Sequence, residues 1–100
     1  MGDNTELREE LADLAHKQWS GWMEYLFSKG AKNEDGSFTI PAWAVERWER
    51  QVNTDYKDLS ESEKDSDRKE ADKFIDVFEN YLARCEEAYE NEMANTLRYY

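Results

Sequence analysis

The chain has 100 residues, 39% of them hydrophobic and 14% aromatic, and 24 acids against 13 bases leave a formal charge of −11. That length makes one domain, residues 1–100, with a small core built on aromatics, and the negative balance excludes general nucleic-acid binding and an anionic membrane surface. One cysteine, Cys85, excludes an internal disulfide and a cysteine zinc site, and no run approaches the roughly 18 apolar residues of a membrane span. Residues 1–6 hold neither a basic nor an apolar leader, so the expected location is the cytoplasm.

Asn4 or Thr5 can cap a first helix, about residues 5–29, in which Leu7, Leu11, Leu14, Ala15, Trp19, Trp22, Met23 and Leu26 recur at spacings of three and four. Gly21 sits inside it, which predicts a close backbone approach, a bend or a break. Tyr25 and Phe27 lie off the main stripe, so the end of this helix should be covered from more than one side. Gly30 stops it, in the left-handed conformation of a helix cap.

Residues 31–37 read as a loop turning at Asn33-Glu34-Asp35-Gly36, followed by a short extended piece near residues 38–40. The loop lacks the alternating oxygen ligands of a calcium-binding helix-loop-helix. Pro41 fits the first position of a second helix, about residues 41–52, whose Ala44, Val45, Trp48 and Val52 face should lie on the first helix through Trp48. Glu46, Arg47, Glu49 and Arg50 form its exposed face.

After Tyr56 and Leu59, Ser60 and Glu63 form a capping box that starts a third helix at Glu61, about residues 61–95. No Gly or Pro follows Pro41, and Ala71, Phe74, Ile75, Phe78, Tyr81, Leu82, Cys85, Ala88, Tyr89 and Met93 make a wide apolar stripe. A helix of that length, roughly 50 Å, is longer than so small a domain. Its end, Leu82 to Tyr99, either projects and is covered by further copies of the chain or turns back near residues 90–95 onto the first helix. The expected fold class is therefore all-α, with three main helices and one short extended segment.

Nothing in the sequence carries enzyme chemistry. His16 is the single histidine, Cys85 lies on an apolar stripe, and there is no glycine-rich phosphate loop or nucleophile elbow. No cofactor or metal is implied. Lys64 and Arg68 share a helix face at spacing four, and the Arg68 fork suits either a phosphate or an acid of its own chain.

The stretch Leu11-Ala-Asp-Leu-Ala-His16-Lys-Gln-Trp19 with Gly21-Trp22, and then Tyr56-x-x-Leu59-Ser-Glu-x-Glu63-Lys64-x-Ser-Asp67-Arg68, resembles the ryanodine-receptor-type (RyR) domain over about residues 7–80. Asp55 stands where that family has proline, Met23-Glu24 replaces a Tyr-Gly, and residues 82–100 form a helical extension without a counterpart. The resemblance implies a small stand-alone bacterial or bacteriophage version of the domain, a non-enzymatic module for a nucleotide-like ligand, acting in the host cytoplasm as a sponge against a defence signal. On this view Arg68 and Lys64 hold phosphate, a base stacks on Trp22, Trp43 or Tyr56, and His16 and Trp19 belong to the same motif.

Two other classes remain open. Glu86, Glu87, Glu90 and Glu92 could present an acidic surface that blocks the nucleic-acid groove of a host protein. Alternatively, the terminal helix could serve an oligomeric scaffold.

Overall fold

The computed structural model describes the backbone of residues 4–98 and the side chains of residues 4–96. It contains α1 (Thr5–Lys29), β1 (Ala31–Lys32), β2 (Phe38–Thr39), α2 (Ala42–Val52), a single 3-10 turn (Tyr56–Asp58) and α3 (Glu61–Arg98). The all-α architecture with three main helices is as the periodicity predicts. Tyr99, the last residue of the expected oligomerisation segment, lies outside the described residues, as do Met1, Gly2 and Asp3 of the expected leaderless start.

α1 runs through Gly21 without a break, and a Cβ at that position would meet nothing within 4 Å. The expectation of a close approach or a break there is thus corrected. Asn4 occupies the cap position but makes no side-chain cap bond. At the other end Gly30 is extended (φ −129°, ψ −163°) and not left-handed. Space explains this glycine: a Cβ would strike the Thr39 carbonyl and come within 2.5 Å of the Phe38 ring.

Residues 31–37 are not all loop, because Ala31 pairs with Thr39 and Lys32 with Phe38 in an antiparallel hairpin. Its turn is closed by the Gly36 amide donating to the Asn33 carbonyl (3.0 Å), with Gly36 at φ +91°. Two such strands cannot hold a sheet alone. The Phe38 ring meets Phe27 edge-on at 5.3 Å, which fixes the hairpin to the end of α1.

Pro41 is the cap residue of α2 (φ −66°, ψ 154°) and not its first helical residue. The inward face also differs from expectation. Ala44 is fully buried and Trp48 and Gln51 are half-buried, while Val52 is 83% exposed. The helix is rolled toward Gln51 because its amide donates to Glu63 on α3 (2.6 Å). Trp48 does join α2 to α1 as expected, with its ring 6.3 Å from that of Tyr25. Tyr25 and Phe27 thus each meet one ring, Trp48 and Phe38, but stay 37% and 56% exposed, so the end of α1 is touched from two sides and not covered as expected.

The capping box forms: the Glu63 amide donates to Ser60 Oγ and the Ser60 amide to Glu63 Oε1, each at 3.3 Å. α3 lies antiparallel to α1, since Arg84 reaches Glu10 (2.6 Å) and Glu6 (3.1 Å) near the start of α1, and Gln18 donates to the Glu70 carbonyl (3.3 Å) further along. α3 does not turn back near residues 90–95; it continues as one helix. Its last fourteen residues overhang the start of α1 by about 20 Å at 1.5 Å per residue.

The result is long and thin. The extents are 72 × 36 × 18 Å and the radius of gyration is 21.3 Å, against about 13 Å for a compact chain of this length. Among the described residues Ala44 is the only buried apolar one. No helix among them is long and apolar enough to cross a membrane.

Candidate ligand cleft

Residues of α1, α2 and α3 line an open cleft of about 650 Å³. That size lies within the range of small-molecule sites. Three elements supply its walls in different chemistry. Trp22 and Tyr25 come from α1 and Trp48 from α2, giving an aromatic side. Lys17, Arg47 and Lys73 bring positive charge, while Glu63, Asp67 and Glu70 of α3 bring carboxylates.

Most of these charges are already engaged. Lys17 pairs with Asp13 at 2.8 Å and Lys73 with Glu70 at 3.0 Å. Among the described residues Glu63 is the most heavily used group: it accepts from Arg50 (2.6 Å), Gln51 (2.6 Å) and both the amide and hydroxyl of Ser60 (3.3 and 3.0 Å). Its side chain is 8% exposed. The Arg50 guanidinium above all holds its carboxyl down at about 2, helped by Ser60 and Gln51 and opposed by burial. Glu63 thus ties α2 to the start of α3 and is structural.

Arg47 differs. Among the described residues it is the one cation lining the cleft without an acid partner. A guanidinium with its donor fork unspent, in the same cleft as an exposed indole, can hold an anionic group while a flat ring stacks on the indole. Asp67 and the Glu70 carboxylate supply acceptors on the opposite wall.

The residues expected from the sequence separate into four places. Trp22, 52% exposed, lines the cleft. Tyr56, Lys64 and Arg68 do come together, but on a surface outside it: the Lys64 ammonium sits 5.7 Å from the Tyr56 ring centre and 3.7 Å from Glu61. Arg68 Nη1 is taken by Asp65 (2.8 Å) and Glu61 (3.1 Å), which with the Tyr56 hydroxyl raise its already high pKa further. That nitrogen is spent on acids of its own helix. His16 and Trp19 stack on each other at 5.9 Å along the exposed side of α1, with His16 Nε2 3.5 Å from Ser20 Oγ. Trp43, 47% exposed, opens α2 away from the cleft.

Sequence reasoning missed Arg47 by assigning it to the solvent face of its helix. The available signal was Gln51. A wheel centred on Ala44, Trp48 and Gln51, in place of Val45 and Val52, sets Arg47 at the edge of the buried face. Among the described residues no group of three His, Cys, Asp or Glu is placed to hold a metal ion.

No protein-family model, curated protein or solved structure matches the chain. The likeness to RyR domains therefore stands on the quoted residues alone.

Proposed function

We propose that the chain is a non-enzymatic binding module of RyR type whose cleft takes a nucleotide-like ligand. The observation that carries this reading is the pairing, in one open cleft, of an exposed Trp22 with an Arg47 that has no acid partner. Trp22 stacks on the base, a contact worth about 1–3 kcal/mol, and Arg47 grips phosphate. Asp67 and Glu70 accept from ribose hydroxyls or base amino groups. The phosphate anchor is thus moved from Arg68, whose Nη1 is taken by Asp65 and Glu61, to Arg47. A bacteriophage origin, a sponge-like role in the host cytoplasm and homo-oligomerisation through α3 belong to the same proposal.

A thermal-shift screen against mono-, di- and cyclic nucleotides and ADP-ribose derivatives tests it. A ligand at 100 times its dissociation constant adds about 2.7 kcal/mol, a shift of several degrees. Arg47→Ala and Trp22→Ala should each weaken binding on the order of tenfold or more, while Arg68→Ala leaves it unchanged. No shift across the panel, or a shift indifferent to Arg47→Ala, sinks the reading.

One observation favours a second class. Residues 85–96 of the overhang carry Glu86, Glu87, Glu90 and Glu92 and no Lys or Arg, as an acidic inhibitor that mimics phosphates would require. Such a protein keeps its activity in Arg47→Ala and loses it when those four glutamates become glutamines.

A further inference from the structure

We propose that the cleft selects a nucleotide whose base carries one exocyclic amino group beside a ring nitrogen acceptor, the edge shared by adenine and cytosine, and that Glu70 reads the amino group. This rests on the nucleotide reading above and names the class of base.

Glu70 holds an unanswered acceptor. Among the described residues its Oε2 is the only buried side-chain oxygen or nitrogen without a hydrogen-bond partner, while its Oε1 accepts from the Lys73 ammonium at 3.0 Å. A carboxylate oxygen shut away from solvent with no donor is destabilising, and a bound donor relieves it. The side chain is 30% exposed and lines the cleft. Because the terminal torsion of a glutamate is soft, a small turn presents Oε2 to a ligand there.

Position decides which part of the nucleotide meets Glu70. Gln18 Nε2 donates to the Glu70 carbonyl (3.3 Å), which sets Glu70 against α1 at the level of Gln18. Trp22 follows one turn later on the same side of α1, about 6 Å along the axis, and Tyr25 beyond it meets Trp48 of α2. Arg47 is the neighbour of Trp48 in the chain, and both line the cleft. The cleft therefore runs from Glu70 past the Trp22 indole to Arg47. A base stacked on that indole, with its phosphate at Arg47, turns its outer edge and not its ribose toward Glu70.

What is left at Glu70 selects among the bases. A keto oxygen at this place, as in uracil or hypoxanthine, sets lone pairs against the carboxylate. Guanine presents two neighbouring N–H donors, which suit both oxygens of a carboxylate, and here Lys73 holds one of the two. Adenine and cytosine offer a single amino donor beside a ring acceptor. Oε2 takes the donor, and the Lys73 ammonium on the same carboxylate supplies the acceptor.

Calorimetric titration with pairs that differ by amino against keto reads the selection: AMP against IMP, ADP-ribose against its hypoxanthine analogue, and CMP against UMP. The amino member of a pair should bind on the order of tenfold or more tightly. Glu70→Gln should bring the ratio close to one, because an amide accepts from an amino group or, turned over, donates to a keto oxygen. Arg47→Ala should weaken both members alike and leave the ratio as it was, which separates base reading from phosphate anchoring and from any general loss of structure. Equal affinity within every pair, or a preference that survives Glu70→Gln, overturns the role of Glu70. If that equal binding is still lost in Arg47→Ala, the nucleotide cleft stands without its base selection. Absence of binding by all six compounds overturns both.

Discussion

Replacing Glu63 with glutamine lowers the melting temperature near neutral pH by more than Ser60→Ala does, and its gap from the parent protein closes as the pH falls toward 2. Ser60→Ala removes one cap acceptor and should cost about 1 kcal/mol, or about 4–8 °C for a domain of this size. Glu63 does more, because the same carboxylate accepts from Arg50, Gln51 and Ser60 and so joins two helices. Glutamine keeps the shape and loses the charge that the Arg50 guanidinium needs. The pH dependence follows from linkage. The folded protein holds the Glu63 carboxyl at about 2, below its ordinary 4.5. Its contribution is therefore full above 4.5 and is lost as the pH drops through that interval, where the unfolded chain binds the proton more readily. At the acid end the parent carries a neutral carboxyl and behaves like the glutamine variant. Melting curves of both proteins across that range check this. A gap between them that stays constant with pH would mean that the Arg50 pair contributes nothing to the fold.

Gly30→Ala destabilises and Gly21→Ala stabilises. At Gly30 the backbone is extended, which any residue can adopt, so the penalty is steric. The new methyl group meets the Thr39 carbonyl and the Phe38 ring. A backbone carbonyl cannot swing aside as a side chain does, so the hairpin must shift and the Phe27–Phe38 contact at 5.3 Å must open. Overpacking of this kind costs about 1–3 kcal/mol. Gly21 lies within α1 with nothing within 4 Å of its missing Cβ, so alanine there recovers up to about 1 kcal/mol of helix propensity. Opposite shifts in melting temperature confirm the assignment, and a stable Gly30→Ala would mean that the hairpin is not seated on α1. Because Gly21 also lines the cleft, its alanine variant is the more stable background in which to ask whether added bulk there reduces ligand binding.

What the sequence by itself determined is what local rules govern. Helical periodicity, the Ser60 and Glu63 capping box and the absence of breakers after Pro41 place the three helices within a few residues of where they lie, because each signal acts over one or two turns of chain. Steric and long-range matters needed the tertiary structure. That Gly30 serves a close approach depends on Phe38 and Thr39 folding back over it. That Gln51 and not Val52 faces inward depends on Glu63, twelve residues further on. The candidate site divides in the same way. The sequence marks Trp22 as an aromatic on the right helix. It also leaves the Arg68 fork open to a phosphate or to an acid of its own chain, and the structure shows its Nη1 taken by Asp65 and Glu61 of the same helix, while Arg47 lines the cleft with no acid partner. Pairing within one helix follows from spacing, whereas a pair such as Arg50 on α2 with Glu63 on α3 depends on which side chains the packed helices bring within a few ångströms.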